Sequence, residues 1–148
     1  MEKLLNLLER QQHTLNELIG VTKQEQEAII AHNVDCVRAS IKQKEELQRQ
    51  LVELEKERQM LTAESRLSNL AVAAGDKKAL LDALHHSLKN SLQELKTLNI
   101  TNTLLIKTEL AYFDFLKEKV FSTTKQYNDK GTLNSKPQDS NAVVSHLA

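Results

Sequence analysis

The residue types that can do chemistry are few in this chain and lie far apart. Asp82 and His85 stand three residues apart, which is half of a di-iron motif, but a helical di-iron site needs two Glu-x-x-His motifs and two further Glu residues. His85 and His86 are adjacent, so on a helix they point about 100° apart and do not form an i,i+4 metal pair. Cys36 has no candidate base near it in sequence and is predicted to be a packed or bystander thiol. No Gly-rich phosphate loop and no Gly-x-Ser-x-Gly motif occurs, so we predict no catalytic residue, no metal, no cofactor and no enzymatic activity.

Charge and composition exclude several other classes of protein. The 148 residues include 20 basic and 20 acidic ones, so the net charge is zero, and they form no basic stripe of the kind that nucleic-acid binders show. The longest apolar run, residues 70–74, is far too short to span a membrane, and the first residues lack the continuous apolar core of a signal peptide. A single cysteine forms no internal disulfide, which fits a reducing compartment. We therefore predict a soluble cytoplasmic protein that neither binds nucleic acid nor inserts directly into a membrane.

Apolar residues recur at spacings of three and four, which predicts an all-α fold. Helices are expected at about 2–31, 34–66 and 77–128, packed up-down-up as an antiparallel three-helix bundle or coiled coil with a long third helix. Asn33 is the expected N-cap of the second helix. Residues 1–128 would form the helical domain, and residues 129–148 a flexible tail, disordered when the protein is alone.

Each predicted helix has a seam of residues that should face the core. In the first helix it is Leu4, Leu8, Gln11, Leu15, Leu18, Thr22, Glu25 and Ile29, and in the second Val34, Val37, Ile41, Lys44, Leu47, Leu51, Leu54 and Leu61. In the third it is Leu80, Leu81, Leu84, Leu88, Leu92, Leu95 and Leu98.

The third helix changes character along its length. The apolar residues from Leu80 to Leu98 share one face, whereas those from Leu104 to Phe121 lie on every side. All five aromatic residues fall between Tyr112 and Tyr127. A helix of about 75 Å is longer than a partner of about 50 Å, so its end is expected to project or to be thinly covered. In this part Tyr112 and Phe113 continue the seam and fit a core role, whereas Phe115 and Phe121 lie off it.

Two explanations of this all-round apolar surface remain open. Such a surface needs cover on every side. Either other parts of the chain or a second copy of it wrap the region, as in a self-associating structural coiled coil, or a client protein covers it. A helical adaptor or regulator is a further alternative.

Two asparagines precede the aromatic region. Asn102 falls on the predicted seam, where a polar residue can fix the register of a bundle at a cost in stability. Asn99 lies to the side with Ile106 and Leu110 and has no evident core role, which favours a binding role for it.

The chain resembles the FlgN-like flagellar export chaperones over nearly its whole body. The resemblance rests on the Leu-rich first helix, the Glu/Lys/Gln-rich second helix, and three segments: Asn99-x-x-Asn102-x-Leu-Leu-Ile, Leu110-Ala-Tyr-Phe-Asp-Phe-Leu116 and Tyr127-x-x-x-Gly131. It implies a cytoplasmic chaperone for the hook–filament junction proteins, which are the hook-associated proteins one and three. Such a chaperone binds the C-terminal helical region of its client, prevents premature assembly and delivers the client to the flagellar type III export gate.

The resemblance also implies two sets of site residues. Client binding would fall on the end of the third helix, about Leu104 to Tyr127, with Leu104, Leu105, Ile106, Leu110, Phe113, Phe115 and Phe121 as contacts. Docking to the cytoplasmic domain of the export gate would use Asn99, Asn102, an apolar residue that is Ile106 or Leu110, and Tyr127.

Overall fold

Three long helices make up the described part of the computed structural model of the chain. The structure describes residues 1–64 and 75–128, and it describes side chains over 1–63 and 75–122. Helix α1 spans Glu2–Ile30, α2 spans Val34–Glu64, and α3 spans Lys78–Asn128 after a short 3₁₀ turn at Gly75–Lys77. These ranges contain no strand, and the predicted all-α, three-helix fold is confirmed. The predicted end of the second helix near residue 66, the segment 67–74 and the tail 129–148 lie outside the described residues.

The connection between α1 and α2 is a tight turn with a recognisable cap at each side. The N–H groups of His32 and Asn33 donate to the carbonyls of Ile29 and Ala28, which closes the end of α1. His32 adopts a φ of 55°, the left-handed position that this kind of helix end requires and that glycine usually fills. Asn33 Oδ1 accepts the backbone N–H of Cys36 at 3.2 Å, so Asn33 is the N-cap of α2, as predicted. The turn reverses the chain and brings α2 back along α1.

Polar contacts between the three helices show the direction in which each one runs relative to the others. Early α1 meets late α2, since Gln11 Nε2 donates to Glu55 Oε2 at 3.1 Å, so α1 and α2 run antiparallel. The first part of α3 runs parallel to α1, since Gln12 Nε2 donates to Ser91 Oγ at 2.8 Å and Asn102 binds Thr22 ten residues further along. The predicted up-down-up bundle is therefore the observed arrangement.

The core lies midway along the bundle and consists of aliphatic side chains. Leu15, Leu18, Ile19 and Leu95 are buried together, and the half-buried residues packed on them are Leu47, Leu51, Leu88 and Leu98. The predicted seam of α1 is buried along its length, apart from Leu8, which is half-buried. Burial of aliphatic side chains at roughly 25 cal/mol per Å² is thus the main force holding α1, α2 and α3 together.

Four predicted seam residues are in fact exposed, namely Val34, Ile41, Leu80 and Leu92. At this point of α2 the buried residue is Ser40, and Ile41 lies about 100° further round the helix, so it faces solvent. In α3 Leu95 is buried, and Leu92 lies about 60° away at the edge of the stripe. The contact faces of α2 and α3 are therefore narrower than their apolar stripes.

The chain divides into two compact units, residues 1–102 and 103–148. The first unit contains α1, α2 and the part of α3 that packs on them. The second unit is described over residues 103–128, which continue α3 as helix. Within the described ranges, no helix is both long and apolar enough to cross a bilayer.

Candidate functional site

The first candidate site is the apolar segment of α3, Leu104 to Phe121, which lies in the second unit. Its large apolar side chains are solvent-exposed, except that Leu105 is half-buried. The exposed ones are Leu104, Ile106, Leu110, Tyr112, Phe113, Phe115, Leu116, Val120 and Phe121. The residues predicted to contact a client therefore all reach the surface of this one helical segment.

Tyr112 and Phe113 do not have the core role that their place on the seam predicted. They are 60% and 64% exposed. No side chain described over residues 103–122 is fully buried, so this described part of the second unit offers no core for these rings to join. Both aromatics are consequently available for contact, along with Phe115 and Phe121.

The apolar side chains of this segment point in opposite directions. Phe113 and Phe115 are two residues apart, which places them about 200° apart around the helix, and both are exposed. Soluble proteins seldom leave large contiguous apolar surfaces open unless those surfaces bind something. The apolar segment thus has the properties of a binding surface that a partner would enclose from more than one side.

Charge contributes little to this surface. The apolar segment contains three basic and three acidic residues, namely Lys107, Lys117 and Lys119 with Glu109, Asp114 and Glu118, so its net charge is zero. Lys119 Nζ lies 5.5 Å from the centre of the Phe115 ring, a cation–π contact worth about 0.5–1 kcal/mol at an exposed site. Binding here would therefore depend mainly on burial of apolar area.

The second candidate site is a polar cluster inside the first unit, formed by Thr22 and Glu25 of α1, Lys44 of α2, and Asn99 and Asn102 of α3. Lys44 Nζ lies 3.2 Å from Glu25 Oε2 and 2.8 Å from Asn99 Oδ1. Asn102 Nδ2 donates to Glu25 Oε1 at 3.0 Å and to the Thr22 carbonyl at 3.0 Å. The cluster therefore joins all three helices through hydrogen bonds.

Asn102 is a buried member of this cluster, with 1% of its surface exposed. Its amide nitrogen faces two acceptors, which fixes the orientation of the amide. Its Oδ1 is buried and accepts no hydrogen bond from the part of the chain that the structure describes. Such an arrangement fits the registry role that its seam position suggested, since it defines one alignment of α3 on α1 while leaving a polar atom unsatisfied.

Asn99 has a structural partner that the sequence did not reveal. It is half-buried, and its Oδ1 accepts a charge-assisted hydrogen bond from Lys44. Asn99 therefore makes a contact within the bundle, although its place beside the predicted seam gave it no evident core role. The proposed role in docking is a separate question, and at this half-buried position the residue still reaches the surface.

The Lys44–Glu25 ion pair is a feature of this cluster that sequence reasoning missed. The two side chains are 15% and 6% exposed, so both charges are largely removed from water. A buried charge needs a partner, and here each charge has one. A signal for the pair was present, because both residues fall on the predicted seams of two neighbouring helices and carry opposite charges.

Another set of polar contacts joins α1 to α2 away from the core. Glu55 accepts hydrogen bonds from Arg58 at 2.6 and 2.8 Å and from Gln11 at 3.1 Å. The Arg58 guanidinium, followed by the Gln11 and Gln59 amides, lowers the pKa of the Glu55 carboxyl from 4.5 to about 2. The Glu55 carboxylate is thus held in its charged form mainly by Arg58 of its own helix, with a smaller contribution from Gln11 of α1.

The residues first considered for chemistry are not members of either site. Asp82, His85, His86 and Cys36 are all exposed. Over the described ranges, no three His, Cys, Asp or Glu side chains come close enough together to hold a metal ion. The Cys36 backbone N–H serves the Asn33 cap described above.

Ile106, Leu110 and Tyr127, the other residues predicted for docking, lie on α3 in the second unit. Ile106 and Leu110 are exposed, at 37% and 47%. Tyr127 is in the last turn of α3, and its side chain lies outside the described residues. Of the two apolar residues considered for docking, Leu110 is therefore the more exposed.

Comparison with known proteins adds one positive result. The family model described as FlgN protein matches residues 1–135, which covers both candidate sites. No curated protein sequence and no solved structure matches the chain significantly. The extent of the family match shows that the chain belongs to the FlgN family of flagellar export chaperones.

Proposed function

We propose that this protein is a cytoplasmic chaperone that binds the C-terminal helical region of hook–filament junction proteins through its apolar segment. The chaperone prevents these clients, the hook-associated proteins one and three, from assembling early and delivers them to the flagellar type III export gate. Family membership supports the general role, and the surface of α3 supports the place of binding.

The observation that carries this proposal is the exposure of Phe113, Phe115 and Phe121 on different sides of one helix. Aromatic side chains bury large areas and dominate interface energetics. A helical client can lay its apolar face against such a helix in the helix-in-groove manner. The client would cover apolar area that otherwise contacts water, and burial of that area would supply the binding free energy.

Co-purification of the full chain with the C-terminal region of a junction protein tests client binding. We expect a stable one-to-one complex that is lost on Phe113→Ala with Phe121→Ala. The matched control is Val52→Ala with Met60→Ala, because these two α2 side chains are similarly exposed, at 54% and 67%, but lie in the first unit. Unchanged binding by the Phe113/Phe121 variant would refute this placement of the client surface.

We also propose that docking to the cytoplasmic domain of the gate uses Asn99, Asn102, Leu110 and Tyr127. Because Asn102 is buried, its contribution would act through the alignment of α3 rather than through direct contact. Asn99→Ala and Tyr127→Ala should weaken gate docking in a pull-down while client affinity is retained. Equal loss of both activities would contradict the division between the two surfaces.

Self-association is the competing explanation of the same exposed segment. It predicts a concentration-dependent dimer of the free chain in analytical ultracentrifugation that requires Phe113 and Phe121. A chaperone that is monomeric at the concentrations where it binds its client would favour the client explanation.

A further inference from the structure

Lys44 occupies a position where a lysine is rarely found. Its side chain is only 15% exposed, and its ammonium group lies between a carboxylate of α1 and an amide of α3. The group has three N–H donors, and they serve Glu25 Oε2 at 3.2 Å, Glu25 Oε1 at 3.4 Å and Asn99 Oδ1 at 2.8 Å. The shortest of these contacts is the one to Asn99.

The orientation of Asn99 is therefore set from α2. Hydrogen bonds from a charged donor are shorter and about twice as strong as those between neutral groups. Glu25 in turn holds Lys44 in place and is itself held by Asn102. The chain of contacts runs from buried Asn102 through Glu25 and Lys44 to half-buried Asn99, so the four side chains form one unit.

We propose that Lys44 is a positioning residue of the export-gate docking surface, acting by holding the Asn99 side chain in the orientation that the gate binds. This inference rests on the proposed function of Asn99 in docking. It means that the docking surface requires the assembled bundle of α1, α2 and α3, and is not a property of α3 alone. The gate would then distinguish a folded chaperone from a free helix.

A contribution to the stability of the fold does not by itself explain why an ion pair occupies this buried position. A buried pair of charges can often be replaced by apolar side chains without loss of stability, because desolvation offsets most of the attraction. Aliphatic residues at positions 25 and 44 would continue the seams of α1 and α2. The pair does something that such residues cannot do, which is to donate a hydrogen bond to Asn99.

A double-mutant cycle on the full chain tests the proposal. Affinity for the purified cytoplasmic domain of the gate is measured by calorimetry for wild type, Asn99→Ala, Lys44→Met and the combined variant. Loss of one charge-assisted hydrogen bond should weaken docking by about tenfold. If Lys44 acts through Asn99, Lys44→Met lowers the affinity as much as Asn99→Ala does, and the combined variant is no weaker than either single one.

Two controls separate positioning from general damage to the fold. Lys23→Met removes an exposed α1–α3 ion pair, Lys23 to Glu94 at 3.0 Å, without touching Asn99 or Asn102, and it should leave docking unchanged. Lys44→Met leaves the Glu25 carboxylate without its ammonium partner, so this variant can fail to fold. Lys44→Met with Glu25→Gln removes both charges and keeps an amide oxygen for Asn102, and we expect this pair to reproduce the tenfold loss while client affinity is retained.

The possible results distinguish the docking role of Asn99 from the positioning role of Lys44. If Asn99→Ala weakens docking but Lys44→Met with Glu25→Gln does not, the positioning role is wrong and the docking role of Asn99 stands. If the effects of Lys44→Met and Asn99→Ala are additive, Lys44 acts on the gate by another route and the proposal is overturned. If Asn99→Ala docks as tightly as wild type, the proposed function of Asn99 and the positioning role of Lys44 both fail.

Discussion

The side-chain amide of Asn102 donates a hydrogen bond to Oε1 of Glu25 over 3.0 Å, and both residues are almost completely buried. The same amide also donates to the carbonyl of Thr22. A shift of α3 by one residue would turn Asn102 by about 100° and break both bonds. The pair therefore specifies one alignment of α3 on α1, whereas the aliphatic core around it would tolerate several.

The first prediction concerns the stability that this pair contributes. Asn102→Ala should lower the free energy of unfolding by about 2 kcal/mol, because the buried carboxylate of Glu25 loses a donor. Urea unfolding followed by circular dichroism measures the change. Asn90→Ala is the control, since Asn90 is exposed on the same helix and its replacement should change stability by only a few tenths of a kcal/mol. Equal midpoints for the two variants would show that the pair has no stabilising role.

The second prediction compares a buried with an exposed leucine. Leu18 is 1% exposed in the core, whereas Leu92 is 56% exposed on α3. Leu18→Ala should reduce the free energy of unfolding by about 3 kcal/mol through lost transfer energy and the cavity it leaves. Leu92→Ala should change it by less than about 0.5 kcal/mol, as for an ordinary surface substitution. A large loss with Leu92→Ala would mean that this side chain is covered in solution.

The fold could be predicted from sequence because leucines such as Leu15 and Leu18 repeat at helical spacing and three long segments lack helix breakers. The turn could also be predicted, because asparagine is a common N-cap residue and Asn33 follows the end of the first apolar pattern. The exposure of Ile41 and Leu92 could not be predicted from the sequence. An apolar stripe shows which side of a helix can face a core, but only the packed partner determines how much of the stripe is used.

The two candidate sites differ in how far they could be predicted from the sequence. Apolar residues on all sides of one helix can be counted from the sequence, and Phe113 and Phe121 were identified in that way. The polar cluster depends on contacts between residues 19 to 80 positions apart, such as Lys44 with Glu25 and Asn102 with Thr22. Such pairs follow from the tertiary arrangement, which single-sequence periodicity does not specify.

The third prediction is a pH dependence that originates at Glu55. Its pKa is lowered from 4.5 to about 2 in the folded protein by Arg58 and Gln11. A carboxyl with a lowered folded-state pKa adds stability above the unfolded value, and this stability is lost as the pH falls from about 4.5 to 2. Because the side chain is 40% exposed, solvent screening limits the contribution to less than about 1 kcal/mol.

Glu55→Gln isolates this contribution. The free energy of unfolding is measured at pH 6 and at pH 3 for wild type, Glu55→Gln and Glu57→Gln. Glu57 lies on the same helix and makes one exposed ion pair, with Arg10 at 3.6 Å. The difference between the two pH values should be smaller for Glu55→Gln than for the other two proteins. An identical pH dependence in all three would place the acid sensitivity elsewhere in the chain.

The last prediction concerns how the apolar segment behaves before a client is bound. None of the side chains described over residues 103–122 is fully buried, and helices without tertiary packing are marginally stable in water. Backbone amides of residues 105–121 should therefore exchange with deuterium faster than those of residues 88–102, which include core residue Leu95. Addition of the junction-protein C-terminal region should slow exchange in 105–121, and the Phe113→Ala with Phe121→Ala variant should not show this slowing. If residues 105–121 were as protected as 88–102 in the free, monomeric chain, the segment would already be covered and could not serve as an open client surface.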